Sequence, residues 1–341
     1  FRVPLIVASP WSKGGWVNSE VCDHTSTLQF LENFLSHKTG KKVVEPNISD
    51  WRRTVCGDLA SVFRPNDAKA GKLPAFVIRN NFLEGIHKAK FKGLPANFKL
   101  LSQQEVAEVN QHPHNSPHLP QQESGVKPSC ALPYQLHADG KLNTAKTAFE
   151  ITLRSGNELG NAAGSPFIVY APGNYKSLDG DAFTPLRNWT YAVKPGDSLS
   201  DAWPINEFED GHYHLRLYGP NGFYREFKGG HTEPEIETEL NHQRNRLNKK
   251  LLTGNIELAI NNGSKKTHTI TLTDNAYKTG IQKKVVLGTG KSTFAVDLTK
   301  SLGWYDFTIR VEGVSGFEKR FAGRVETGKP GYTDPYMGRV V

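Results

Sequence analysis

Asp23 and His24 stand side by side in WVNSEVCDHTS (16–26), where an imidazole next to a carboxylate could do acid–base work. Such a pair could donate a proton to a leaving oxygen or orient a phosphoryl oxygen at a helix N-terminus. The same residues also spell a helix start. Asp23 can cap it, or Ser26 can do so with Gln29 completing a capping box, which leaves His24 as a satisfied, partly buried side chain. That structural role is the favoured reading. Just upstream, KGGW (13–16) has glycines that would let backbone approach a phosphate, but it lacks the spacing of a nucleotide-binding loop and reads as a tight strand-to-helix turn. Trp11 and Trp16 stand on either side of this turn.

Two further groups could hold chemistry. His112, His114 and His118 cluster in HPHNSPH (112–118), but no carboxylate or cysteine stands near them in sequence and prolines break the stretch. A solvated loop is expected there rather than a metal site. Cys22, Cys56 and Cys130 form no CxxC pair and no disulfide framework. Cys22 and Cys56 lie among apolar residues and are expected to act as small core hydrophobes.

Elements must position these groups. VPLIVASPW (3–11) is a near-continuous apolar run, the pattern of a strand covered on both faces, so the chain is expected to open inside a core element and to be a piece of a longer one. Leu28, Leu31, Phe34 and Leu35 fall at helical spacing with Gly40 as the stop. A second helix is expected over SDWRRTVCGDLASVF (49–63), capped by Ser49 or Asn47, with Trp51, Val55, Leu59 and Val62 near one face; Gly57 could split it. Residues 67–128 are rich in Pro, Asn, Lys and Gln, with a helical hint at SQQEVAEV, and read as a linker or surface excursion.

From Leu132 onward the texture is all-β, and an internal repeat emerges. GFYREFKG (222–229) matches GFEKRFAG (316–323) as G-F-x-[RK]-x-F-x-G. GHYHLRL (211–217) matches GWYDFTI (303–309), KPGDSL (194–199) resembles GTGKST (288–293), and FEITLRSGN (149–157) resembles IELAINNGS (256–264). The last pair lies further apart than the others, which suits longer loops in the first copy near 157–166 and 176–188. Two copies of this size predict two β-sandwich modules of immunoglobulin-like dimensions. YHLRLYGPNGFYREF is a hairpin around Pro-Asn-Gly. The repeated aromatics Tyr213, Phe223, Phe227, Tyr305, Phe317 and Phe321 are expected in the inter-sheet core, and the glycines in turns and bulges. Trp189, Trp203 and Trp304 default to buried packing.

The chain has 341 residues, a formal net charge of +8 and a pI near 9.2, and no stretch has the length of a membrane-spanning helix. The balance suits anionic surfaces. RNRLNKK (244–250), next to the acidic EPEIETE (233–239), reads as a solvated connector rather than a basic anchor.

Taken together, RVPLIVASPWSKGGWVNSEVCDHTSTLQFLE (2–32), EPNISDWRRTVCGDLASVF (45–63), LPQQESGVKPSCALPYQLHADG (119–140), YAVKPGDSL (191–199), YHLRLYGPNGFYREFKG (213–229) and GYTDPYMGR (331–339) resemble the bacterial phosphatidylcholine-type phospholipases C, a group that includes a related acid phosphatase. The resemblance covers nearly the whole chain except about 67–118. It implies a fold: residues 1–66 as the end of an alkaline-phosphatase-like α/β domain, 67–128 as the linker, 129–234 and 235–334 as two immunoglobulin-like β-sandwich repeats, and 335–341 as a tail. It also implies hydrolysis of the glycerol–phosphate bond of phosphatidylcholine or sphingomyelin. The products are diacylglycerol or ceramide and the phosphorylated headgroup.

The implied mechanism is attack of a metal-activated hydroxyl on phosphorus, followed by hydrolysis of a phospho-enzyme. The family's nucleophile and metal-binding motifs are absent from these residues. The divalent metal is therefore expected outside this chain, with no metal ligand in it, and the chain alone is expected to be inactive. Asp23 and His24 remain pocket-rim candidates and Trp11 and Trp16 headgroup-binding candidates. The implied partners are a phospholipid or sphingolipid surface and an export or chaperone factor, not nucleic acid. The implied location is outside the bacterial cytoplasm, periplasmic or secreted. The alternatives are a phosphomonoesterase of acid-phosphatase type and a non-catalytic surface-binding β-sandwich protein.

Overall fold

Alternating burial is the rule through the second half of the chain, and it builds a mostly antiparallel β architecture. The computed structural model describes residues 3–64, 77–120, 123–159, 162–178, 180 and 182–341; the side chain of His114 lies outside that set. Helices α1 (His24–Thr39), α2 (Asp50–Val55), α3 (Arg79–Ala89) and α4 (Gln103–Gln111) precede the strands. The strands are β1 (Pro128–Ser129), β2 (Leu136–Leu142), β3 (Ala148–Ser155), β4 (Ser165–Lys176), β5 (Phe183–Val193), β6 (Ser198–Pro204), β7 (His212–Tyr218) and β8 (Tyr224–Gly230). They continue as β9 (Ile236–Arg244), β10 (Leu252–Asn262), β11 (His268–Asp274), β12 (Ile281–Val286), β13 (Lys291–Val296), β14 (Trp304–Val311), β15 (Glu318–Arg324) and β16 (Gly331–Tyr332).

β2 to β8 and β9 to β15 are the two copies of the repeat. In the first, β2-β3-β6 form one sheet; in the second, β9-β10-β13 form its counterpart. The extra length of the first copy lies chiefly in the β4–β5 hairpin, whose strands have 12 and 11 residues against 7 and 6 in β11 and β12. The remaining strands do not make two separate sheets. They join into one of eight strands, ordered β12-β11-β14-β15-β8-β7-β4-β5, which runs through both modules.

The join is made by the repeated motif itself. β8 and β15 pair antiparallel with Lys228 opposite Glu318, Glu226 opposite Arg320 and Tyr224 opposite Ala322. Glu226 and Arg320 occupy the same place in the two copies of G-F-x-[RK]-x-F-x-G, so the pairing has a local two-fold centred on them. The [RK] positions beside them, Arg225 and Lys319, are both buried. Arg225 donates to the Tyr224 and Ala322 carbonyls and to the Tyr305 hydroxyl at 2.8, 3.0 and 3.2 Å. Lys319 Nζ donates to the carbonyls of Gly140 and Ile236 and to Thr238 Oγ1 at 3.0, 3.3 and 3.4 Å, reaching strands of the facing layer from both modules. Burial pushes its ammonium down to about 8.

The six repeated aromatics are all buried, as are Trp203 and Trp304. The core is continuous across the join: Phe227 meets Phe321 edge-on at 6.2 Å, Phe321 stacks on Phe307 at 5.6 Å, and Phe149 stacks on Tyr213 at 4.1 Å. The motif's first glycines, Gly222 and Gly316, make positive-φ turns as expected. The last ones do something else. Gly229 lies opposite Tyr213 and Gly323 opposite Tyr305. A Cβ at Gly229 would collide with the Glu233 carboxylate and stand 2.5 Å from the Tyr213 hydroxyl oxygen that bonds to it, so the glycine leaves room for that pair.

β2 and β9 face each other across the module boundary and carry a buried imidazole pair. The His137 and His242 rings are 5.1 Å apart, and both Nδ1 atoms are buried without a hydrogen-bond partner among the described residues. Burial, then the cations Arg154 and Arg225, lowers His137 to about 4. Burial, then His137 and Arg225, lowers His242 to about 3. Above about pH 7 the two contribute nothing to the pH dependence. As pH falls through the ordinary histidine value near 6.5, the unfolded chain binds protons that the folded chain refuses. Each histidine should then cost about 1.4 kcal/mol of stability per pH unit until its folded value is reached. Thermal melts from pH 7 to 4.5 should fall steadily, and a His137→Phe/His242→Phe double variant should flatten that slope.

The front of the chain departs from its sequence reading. VPLIVASPW forms no strand, and Val3, Leu5 and Ile6 are exposed. An apolar run becomes a buried strand only beside paired neighbours, and none of the described strands pairs with it. The α1 stripe (Leu28, Leu31, Phe34, Leu35) is likewise exposed, and Trp51 with it. The expected second helix splits at Cys56 and Gly57: α2 ends at Val55, and a 3₁₀ turn spans Ala60–Val62. In the excursion α4 forms where SQQEVAEV hinted, closed by a Ser102–Glu105 capping box, and α3 forms without a signal having been read there. RNRLNKK is an exposed, solvated stretch that connects β9 to β10 at the end of their hairpin.

Candidate functional site

Residues 11–23 run against residues 64–52 in opposite chain directions. A ladder of separate contacts ties them rather than β pairing, since 52–55 lie in α2 and 60–62 in the 3₁₀ turn. Arg64 N–H donates to the Trp11 carbonyl at 2.7 Å, and its Nη2 to the Lys13 carbonyl at 2.7 Å. Asn18 donates to Ser61 Oγ at 2.7 Å, and Ser61 in turn donates to Glu20. Gly57 N–H donates to the Val21 carbonyl at 2.8 Å, and Asp23 pairs with Arg52. The ladder docks on the first β module: Cys130 N–H donates to the Val17 carbonyl at 2.9 Å, and Val21 N–H to the Tyr134 hydroxyl at 2.9 Å.

Between ladder and module lies an open cavity of about 890 Å³. Its polar lining includes Glu20, Arg53, Thr54, Ser61 and Arg64. Burial raises the Glu20 carboxyl, partly offset by the Ser61 hydrogen bond. Arg53 is held by a bidentate pair to Glu32 at 2.8 and 2.9 Å, which lowers that carboxyl to about 2. The Glu20–Ser61 pair has no local signal in the sequence, because 41 residues separate its members. Contacts of that span leave no local pattern.

Asp23 is the N-cap of α1: its carboxylate accepts from Thr25 N–H at 2.8 Å, and Ser26 Oγ accepts from Asp23 N–H at 3.1 Å. The capping box therefore uses Asp23 with Ser26, not Ser26 with Gln29. His24 is exposed on the first helical turn rather than partly buried, and its ring makes no hydrogen bond among the described residues. The two do not act on each other, since the Asp23 carboxylate is spent on Thr25 and Arg52. Trp11 is exposed, while the Trp16 ring is covered by the Arg64 guanidinium at 4.4 Å from its centroid. KGGW is a turn with positive φ at Gly14 and Gly15. Cys22 is exposed rather than in the core, whereas Cys56 and Cys130 are buried. His112 caps the end of α4, and His118 Nε2 stands 3.9 Å from Glu105.

No group of three or more His, Cys, Asp or Glu side chains converges among the described residues. The His137–His242 pair has Arg154, Arg225 and Arg244 as electrostatic neighbours, which oppose a cation. These donor sets do not fit a divalent metal.

The family profile described as bacterial phospholipase C, C-terminal domain, matches residues 128–230 and again 236–324, the two strand sets of the repeat. The chain belongs to the family of bacterial phospholipase C C-terminal domains. A phosphoesterase family profile matches residues 1–36, which take in α1 up to Ser36 and the start of the ladder. Among curated relatives of this phospholipase C family, a non-hemolytic phospholipase C of Pseudomonas aeruginosa is 33% identical over 99% of this chain and 44% of its own length. A non-hemolytic phospholipase C of Burkholderia pseudomallei is 33% identical over 98% of this chain and 43% of its own. The hemolytic phospholipase C of Pseudomonas aeruginosa is 33% identical over 98% and 44%. The chain thus spans less than half the length of the curated relatives it matches.

Proposed function

We propose that this chain forms the carboxyl-terminal part of a phospholipase C that hydrolyses phosphatidylcholine- or sphingomyelin-type phosphodiesters to diacylglycerol or ceramide and the phosphorylated headgroup. One observation carries the reading: a single end-to-end similarity joins both β modules and the helical front to proteins named phospholipase C. On this reading residues 1–66 are the last elements of an alkaline-phosphatase-like domain. The exposed VPLIV run and α1 stripe are surfaces its body would cover. Residues 67–128 are the excursion, 129–234 and 235–334 the two repeats, and 335–341 the tail. The sheet orders β2-β3-β6 with β8-β7-β4-β5, and β9-β10-β13 with β15-β14-β11-β12, support an immunoglobulin-like class for each repeat.

The nucleophile and a divalent metal belong to the part of the protein outside residues 1–341, where the metal would supply a lowered nucleophile pKa and charge stabilisation at phosphorus. What these residues contribute is a rim. Arg64 ties the two aromatic candidates together, with its backbone bonded to Trp11 and its guanidinium on Trp16. Exposed Trp11 is the ring free to meet a choline cation, with His24 nearby in sequence as a rim residue and Asp23 as the cap that fixes the turn. The partner surface is a phospholipid or sphingolipid membrane, and the protein works outside the cytoplasm. Trp11→Ala/Trp16→Ala in the N-terminally extended protein should cost more kcat/KM on phosphatidylcholine than on phosphatidylethanolamine. Equal losses on both lipids would remove the tryptophans from headgroup recognition.

A further inference from the structure

The ladder of contacts has a consequence for two cysteines that no hydrogen bond of the ladder uses. Its contacts advance in opposite directions along the two segments: 11 with 64, 18 with 61, 21 with 57 and 23 with 52. Cys22 falls between the last two on one side and Cys56 on the other, so these contacts bring the two residues near each other. The Gly57 N–H bond to the Val21 carbonyl at 2.8 Å brings their chain neighbours Cys56 and Cys22 together, and the Cys22 thiol lies within electrostatic reach of the Cys56 thiol. A disulfide bridges Cα atoms about 4.4–6.8 Å apart. Cys56 is the C-cap of α2, with its backbone turned to an extended conformation at φ −103°, ψ 129°.

Two independent contacts place the Cys22 side chain and the Cys56 main chain against one face of α1. Cys22 interacts with the Ser26 side chain, and the Cys56 carbonyl accepts from Gln29 Nε2 at 3.4 Å. Ser26 and Gln29 are three apart and are the buried residues of α1, on one face of it. The Tyr134 hydroxyl, bonded to Val21, lies within the electrostatic reach of both thiols. Cys130 is engaged elsewhere, with Arg64 Nη1 donating to its sulfur at 3.3 Å.

We propose that Cys22 and Cys56 are a cross-linking site that closes to a disulfide when the protein meets a thiol-oxidising environment, fastening the front segment to the end of α2. Each thiol gives up one proton and one electron, an Sγ–Sγ bond forms, and the electron pair passes to a small disulfide such as oxidised glutathione, which leaves as two thiols. Exposed Cys22 provides the point of attack, and buried Cys56 completes the exchange. Burial holds both thiols above their ordinary value, so closure should run faster at alkaline pH.

The test is thiol counting on the folded chain after equilibration with oxidised glutathione, followed by denaturation and non-reducing peptide mapping. The expected result is a fall from three free thiols to one, with a Cys22–Cys56 peptide pair as the product. Three remaining thiols, stable glutathione adducts without a cross-link, or a link through Cys130 would each overturn the proposal. Cys22→Ser keeps the exposed position polar and should fold. It should then retain both other thiols under the same treatment, and a Cys56–Cys130 link in that variant would also count against the assignment.

Discussion

Phe321→Ala should destabilise both β modules together, by about 3–5 kcal/mol, rather than loosening the second one alone. Phe321 is fully buried and contacts Phe307 of its own module, Phe227 of the other, and the Arg225 guanidinium at 5.0 Å from its ring centre. Truncation opens a cavity at the join of the eight-stranded sheet and strips one aromatic face from a buried cation. The main-chain pairing of β8 with β15 carries the loss across the boundary. Urea denaturation should show one transition shifted to lower midpoint. Combined with Phe227→Ala, the two losses should fall short of additive, because each ring is part of the other's wall. Two separated transitions, with the first module's midpoint unmoved, would mean that the modules merely touch.

The second large effect concerns catalysis. Residues 1–341 alone should leave phosphatidylcholine intact, whereas the same chain extended toward the length of its relatives should cleave it at a rate about 10⁶-fold or more above background. The reason lies in the side chains available. In the cavity Glu20 is hydrogen-bonded to Ser61, and Arg53 is locked to Glu32. Asp23 caps a helix, and His24 is exposed with no hydrogen bond to its ring among the described residues. None of these arrangements activates a hydroxyl toward phosphorus. Docking of a catalytic body on the exposed α1 stripe should bring the rim to it.

The sequence was informative where information is local. The α1 cap, the Gly40 stop, the Ser49 cap and the Pro-Asn-Gly hairpin each depend on a few neighbouring residues and could be read directly. The repeat was legible because two copies of one motif lie in one chain, and its aromatics proved to be core for the reason any strand with period two buries one face. What the repeat does was not legible. That β8 pairs with β15 about Glu226 and Arg320, merging two sandwiches through one sheet, depends on a pairing 94 positions apart. The motif's conserved-looking [RK] gave no sign of burial, because Arg and Lys are ordinarily exposed.

The front was misread for the complementary reason. VPLIV and the α1 stripe have the composition of buried elements, but burial is a property of neighbours. Cys22 was misplaced in the same way: the apolar company it keeps in sequence is not its company in space. The Glu20–Ser61 pair and the His137–His242 pair are products of long-range pairing and had no sequence signal at all.

The most direct test is product analysis with phosphatidylcholine vesicles, comparing residues 1–341 with the N-terminally extended protein in the presence of a divalent metal. The account predicts phosphocholine and diacylglycerol from the extended protein and neither from the chain alone. It would be contradicted by hydrolysis at a similar rate from residues 1–341. It would be contradicted equally by an extended protein that leaves phosphatidylcholine intact while releasing inorganic phosphate from a simple phosphomonoester.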